Sequence, residues 1–304
     1  MEKPPIQPYI ILFIGVLSIS TSAIFVKLAG DAPASIIAFY RLLIAVAIMA
    51  PYVLWNHFDE IKQIHKKDWL FAIFSGVFLA FHFILWFQSL QYTTVASSVV
   101  LVSLQPVFAF TGTYIFFKER FTIGAMLSLL ITIIGSGIIG WGDFQVSGLA
   151  LLGDILAILG ALAVTGYFLL GQHLRKRLSL MTYTFIAYGM AVLTLGVYNL
   201  FVDVSFTGYN GDQWLIFLGL AIIPTFFGHT LFNWTLKWLS TSTISMTILL
   251  EPIGASILAY WILNETITWS QWLGGSIVIF GLMMFIFSTT KKVKPKITHQ
   301  TGKK

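Results

Sequence analysis

Apolar residues in this chain do not alternate with polar ones at the two-residue period of a strand, and they do not form the one-sided stripe of a surface helix. They run on for about 20 residues at a time, the length that crosses a bilayer as a helix. Ten such segments are read, at residues 9–29, 33–55, 69–90, 93–117, 121–141, 147–172, 179–202, 214–238, 241–263 and 269–288, numbered here as spans 1 to 10. The links between them are short. The longest, residues 56–68, is expected to form a surface helix or turn. Residues 1–8 are too short and polar for a signal peptide, and the first apolar run is too long for a cleaved one, so it is expected to remain a span.

Composition agrees with lipid as the solvent. Hydrophobic residues make up 57% of the 304 positions and charged ones 10%, against about 25% charged in an ordinary soluble domain. There is no cysteine, which excludes disulfides and thiolate chemistry. The pI of 9.4 would suit a nucleic-acid partner, but the basic residues lie between apolar segments, so no nucleic acid is expected and membrane topology explains them. Lys3, Lys62, Lys66, Lys67, Lys118, Arg120, Arg175, Lys176, Arg177, Lys237 and six lysines from Lys291 to Lys304 all fall on one side. Only Lys27 and Arg41 lie within spans. The positive-inside rule then predicts that both termini are cytoplasmic, in a multi-pass protein of the cell membrane.

A motif occurs twice in register. Leu104-Gln105-Pro106, Glu119 and Thr122 recur 146 residues on as Leu250-Glu251-Pro252, Glu265 and Thr268. Tyr114 and Tyr260, Leu127 and Leu273, and Gly135 and Gly281 keep the same offset. The chain is thus read as residues 1–145, a first set of five spans, residues 146–290, a second set, and residues 291–304, a basic cytoplasmic tail. Five is odd, so the second set enters the membrane from the opposite side: a 5+5 inverted repeat. Inversion puts Glu119 inside and Glu265 outside. Both are read as structural, next to Thr122 and Thr268, which are placed to cap spans 5 and 10.

Ser20-Thr21-Ser22-Ala23-Ile24-Phe25-Val26-Lys27, Phe39-Tyr40-Arg41-Leu42-Leu43-Ile44-Ala45, Leu90-Gln91-Tyr92-Thr93 and the two Pro…Glu units stand in an order that resembles the EamA-type members of the drug/metabolite transporter superfamily. The resemblance covers essentially the whole chain. It implies a 5+5 inverted-repeat carrier with a central cavity, often an exporter of amino acids, their derivatives or other small metabolites. The first copy carries Gln105 where the second carries Glu251, so any acidic role is confined to one half.

Polar groups at membrane depth are costly and mark candidate sites. Glu251 falls near the middle of span 9, with Thr247 four residues before it on the same helical face. Pro252 and, in span 4, Pro106 each remove a backbone donor and weaken their helix beside Glu251 and Gln105. His82, Trp86 and Ser89 share a face of span 3, and Thr225, His229 and Asn233 a face of span 8. The histidines either bind substrate and protons or tie helices together. Trp86 is the candidate for an apolar pocket wall. Tyr167 and Thr165 in span 6, with Ser18, Thr21 and Ser22 in span 1, line a cavity or glue helices. Arg41 and Asp154 have equal depth and opposite charge, which predicts an ion pair with Asp154 as a structural partner. Lys27 can snorkel or meet Asp31.

The substrate-binding set is accordingly His82, Trp86, Arg41, Gln105, Glu251, His229, Asn233, Thr247 and Tyr167, with Glu251 and His82 as coupling residues if protons drive the cycle. No Gly-x-x-x-x-Gly-Lys-Ser/Thr loop occurs, so ATP does not drive it directly. No metal or other cofactor is expected. Gly140-Trp141-Gly142-Asp143 spells an intramembrane-protease motif, but it lies at a helix end without a partner aspartate and reads as a turn. The rival classes are an intramembrane enzyme and a non-transporting receptor or scaffold. A monomer and a homodimer are both compatible with the sequence.

Overall fold

The computed structural model describes residues 4–93, 95–139, 141, 148–264 and 266–290. Glu265, Gly142, Asp143 and the lysines of the tail lie outside the described residues. Nine helices or helix pairs among the described residues are long and apolar enough to cross a membrane, from Pro8–Leu28 to Trp269–Thr289. Ile123–Ile139, at span 5, is a shorter apolar helix. The exposed apolar side chains, such as Leu130, Leu162, Leu193 and Phe280, face outward along the rods. Trp55, Trp141 and Trp269 are also exposed near span ends, where an indole suits the headgroup region.

Three spans are interrupted, and in each the local chemistry gives the reason. Span 1 divides into Pro8–Ile19 and Ser22–Leu28. There the Ser20 hydroxyl donates to the Val16 carbonyl at 2.9 Å and Thr21 to Ser18 at 2.7 Å, so side chains compete with the backbone ladder. Span 4 divides into Val95–Val102 and Gln105–Phe117, and span 9 into Thr241–Ile248 and Glu251–Leu263. Pro106 and Pro252 sit in the first turn of the second pieces, where a missing N–H costs nothing. The sequence reading of a proline-weakened helix thus resolves into two half-helices, with the break just before the Gln-Pro and Glu-Pro pairs. In span 8 the stretch Ala221–Thr230 is a π-helix containing Pro224. The Thr225 hydroxyl donates to the Leu220 carbonyl at 2.8 Å across the widened turn.

The 146-residue offset also reappears in the backbone. Lys118 and Asn264 end spans 4 and 9, both left-handed, at φ 57° and 56°. Thr122 accepts from the Ala125 N–H at 3.1 Å, capping span 5. At span 10, Thr268 and Gln271 exchange side-chain to backbone hydrogen bonds at 2.9 and 3.3 Å, the reciprocal capping box.

Packing follows the same symmetry. Span 3 lies along span 6, span 1 on span 8, span 2 on span 7, and span 5 on span 10. The first piece of span 4 meets the second piece of span 9, and the second piece of span 4 meets the first of span 9. Advancing every number by five maps this set of pairs onto itself. Spans 5 and 10 touch backbone to backbone: a Cβ on Gly274 would stand 2.4 Å from the Gly135 carbonyl oxygen. Small residues at such crossings let helices approach without a hydrophobic driving force.

Candidate functional site

The broken ends of spans 4 and 9 face a central cavity. It is lined by Gln105 and Glu251 together with His82, Trp86, His229, Ser22 and the apolar side chains of Ile19, Val102, Val164, Phe168, Phe232 and Ile248. These come from spans 1, 3, 4, 6, 8 and 9. Its free space, about 30 Å³, is room for one or two waters. The cavity is therefore closed around its polar groups in this conformation.

Gln105 and Glu251 each open a half-helix. At that position the backbone N–H groups are unpaired within the helix and the dipole's positive end points into the cavity. The two differ in their partners. The Gln105 amide donates to the Ser245 hydroxyl at 2.9 Å, reaching from span 4 to span 9. The buried Glu251 carboxyl makes no hydrogen bond to any described side chain or backbone group, although its own carbonyl accepts weakly from Ser20 at 3.5 Å. Gly254 makes this meeting possible, since a Cβ there would lie 2.3 Å from the Ser20 hydroxyl.

The histidines come together from opposite walls, with ring centroids 6.1 Å apart. His82 Nδ1 lies 2.9 Å from the Gly160 carbonyl. A carbonyl only accepts, so Nδ1 carries the proton and Nε2 is the acceptor in the neutral ring. Its ring stacks on Trp86 at 5.6 Å. His229 Nδ1 and Trp86 Nε1 are buried without a hydrogen-bond partner among the described residues. Buried polar groups are normally paired, so these two, with the Glu251 carboxyl, form a set of unspent polar contacts around one small space.

Arg41 is fully buried one layer behind Ser22. Its Nε donates to Thr225 at 2.7 Å and Nη1 to Ser22 at 2.9 Å. Its guanidinium lies over the Phe83 ring at 4.3 Å, and Nη2 has no hydrogen-bond partner among the described residues. The expected Arg41–Asp154 ion pair does not form. Asp154 instead accepts from Ser97 at 2.9 Å. Equal depth on two spans does not set their rotation, and the faces carrying these residues do not meet.

Three other expectations need correction. Thr247 lies outside the cavity lining and donates to its own helix, to the Thr243 carbonyl at 3.1 Å. Its shared face with Glu251 presumed an unbroken helix, but the helix is interrupted at Leu249 and Leu250. Tyr167 and Asn233 form a second layer: the Asn233 amide donates to the Tyr167 hydroxyl, and the Tyr167 ring lies 6.3 Å from that of His229. Neither lines the cavity: Tyr167 lies against the histidine, and Asn233 against Tyr167. Ser245, Phe168 and Phe232 were not singled out from sequence. The signal for Ser245 was the pairing of spans 4 and 9 implied by the repeat.

Three carboxylates at one end of the bundle, all from the first half, hold groups of the second. Glu60 accepts from the Ser179 N–H and hydroxyl, both at 2.6 Å, from Thr182 at 2.5 Å and from His57 at 3.1 Å. Burial pushes the Glu60 carboxyl up, but these hydrogen bonds together outweigh it and hold the group below its ordinary value. Glu119 accepts from Ser240 and Ser242, each at 3.0 Å, at the start of span 9. Asp68 accepts from Arg177 at 3.3 Å through both oxygens. Lys27, by contrast, donates to the Leu90 carbonyl at 2.5 Å within its own half.

The EamA-like transporter family model matches this chain twice, over residues 7–141 and 151–287. The chain is 28% identical over 228 residues to the uncharacterized transporter YxxF of Bacillus subtilis (strain 168), covering 74% of this chain and 72% of that protein. It is 25% identical to the uncharacterized transporter YdfC of the same organism, over 100% of this chain and 99% of the relative. An uncharacterized transporter of Archaeoglobus fulgidus is 24% identical over 87% of this chain and 90% of its own length. A solved crystal structure shares the fold at a TM-score of 0.76 with 15% identity, covering 94% of this chain and 98% of that one.

Proposed function

This chain belongs to the EamA-like transporter family, and from that premise we propose that it is a secondary-active carrier that exports small metabolites, such as amino acids or their derivatives, by alternating access. The observation that carries this reading is the meeting of two half-helix starts, Gln105 and Glu251, at a closed cavity with unspent polar groups. Discontinuous helices at the interface of two repeats are how carriers present helix ends and side chains to a solute in the middle of the bilayer.

The halves are the five-span sets of an inverted repeat, residues 1–145 and 146–290, with both termini cytoplasmic in the plasma membrane. One half rocks against the other about the central site. The bonds of Glu60, Asp68 and Glu119 to the second half close the cytoplasmic end, and each must break when that end opens. The other end has a recess of about 420 Å³ beside Lys27, Asp31 and Gln91. This supports a conformation closed inside and leaning outward.

Glu251 is the coupling group in this reading. A buried carboxyl with no fixed partner can exchange a proton for a solute without breaking a structural contact. His82 accepts through Nε2 and is the second coupling candidate. The test is efflux from proteoliposomes loaded with an amino-acid mixture and followed by mass spectrometry. Release faster than from protein-free vesicles supports a carrier. Equal release of every component, with and without a pH gradient, would favour a receptor or scaffold.

A further inference from the structure

Away from the central cavity, a groove of about 390 Å³ opens between spans 3, 4 and 6. Its floor is Gly166, where an added Cβ would meet the Phe78 ring at 3.1 Å. Phe71 and Phe78 line one wall and Phe117 the end. From Phe78 to Lys67 is eleven helical positions, about 16 Å of rise, close to the depth of one leaflet of hydrocarbon.

The groove ends at two exposed lysines. Lys67 Nζ stands 5.7 Å from the Phe71 ring and Lys176 Nζ 5.4 Å from the Phe117 ring. Lys67 lines the groove together with His173 and Phe117, and Lys176, three residues after His173, reaches the same end against Phe117. Neither has a carboxylate within 4.0 Å among the described residues. The nearby acid, Asp68, is engaged by Arg177 at 3.3 Å and lies 4.0 Å from His173 Nε2. Two lysines with no carboxylate in salt-bridge reach among the described residues thus cap an aromatic channel one leaflet long.

We propose that this groove binds an anionic phospholipid, with the phosphate between Lys67 and Lys176 and an acyl chain along Phe71 and Phe78. A free phosphate would leave the channel unused, and a zwitterionic lipid brings its own cation to the lysines. Basic pockets between spans at the membrane surface are suited to anionic headgroups.

The test is native mass spectrometry of the full chain in non-ionic detergent, titrated with phosphatidylglycerol, with phosphatidylcholine of matched chains, and with inorganic phosphate. The wild type is expected to retain phosphatidylglycerol selectively. The exposed-site double variant Lys67→Gln/Lys176→Gln should bind it roughly 20- to 30-fold more weakly, from the contribution of each lysine near a charged headgroup. Lys62→Gln, outside the groove, should bind it as the wild type does. Equal retention of the two lipids by the wild type would overturn the proposal. So would unchanged phosphatidylglycerol binding in the double variant, or inorganic phosphate binding as tightly as the lipid.

Discussion

Gly254→Ala isolates the contact between the break in span 1 and the second piece of span 9. The new Cβ would lie 2.3 Å from the Ser20 hydroxyl and 2.8 Å from its Cβ. The hydroxyl can rotate away, but the Cβ moves only with the backbone. Carbon atoms rest at 3.5–4.0 Å, so the pieces must separate by about 1 Å. Overpacking of this kind costs about 1–3 kcal/mol. Glu251 lies three residues before Gly254 and its carbonyl faces Ser20, so the separation also displaces the carboxyl. The assay is a double-mutant cycle with Ser20→Gly, measured by denaturant titration in mixed micelles and by efflux. The expected result is a loss of about 1–3 kcal/mol in Gly254→Ala, with a coupling energy of at least about 0.5 kcal/mol in the double variant. Additive losses would refute the contact as the cause.

Further outcomes follow from the same geometry. With no native cysteine, single-cysteine variants report topology directly: Asp31→Cys should react with an impermeant maleimide on intact cells, and Asp59→Cys only after permeabilisation. The reverse pattern would invert the proposed orientation. Glu60, held below its ordinary value, contributes stability that is fully present above the unfolded carboxylate pKa and is lost as pH falls through the folded one. Thermal stability followed on acidification should therefore decline below the ordinary carboxylate range, and Glu60→Gln should flatten that acid limb. Thr247→Ala should leave efflux unchanged, since its hydroxyl bonds within its own helix. Gln105→Ala should slow efflux by removing the bond to Ser245.

Much of the architecture was legible in the chain because lipid imposes it. Ten apolar runs, short links and an unbroken 146-residue offset predict helices whose places the structure reproduces among the described residues, with the caps at Thr122 and Thr268; the matching left-handed ends at Lys118 and Asn264 were not foreseen. The membership of His82, Trp86, Gln105, His229 and Glu251 in one cavity was also within reach, because helical spacing and the repeat placed them at matching depths. What failed was rotation. The pairing of Arg41 with Asp154 rested on depth alone, and depth leaves open which way a helix face turns. The role of Thr247 rested on an unbroken span 9, which the turn at Leu249 and Leu250 interrupts. Glu60 and Asp68 read as ordinary link residues, since their partners, Ser179, Thr182 and Arg177, lie more than a hundred residues away.

Glu251 is proposed above as the coupling group of the carrier. Its most direct test is Glu251→Gln in proteoliposomes, with amino-acid efflux followed across a range of internal and external pH. The side chain keeps its size and loses its titratable proton, and since the carboxyl has no hydrogen-bond partner among the described residues the fold has little to lose. Thermal stability should be unchanged and the pH dependence of transport should disappear. Efflux that keeps its wild-type pH dependence in the variant would contradict it.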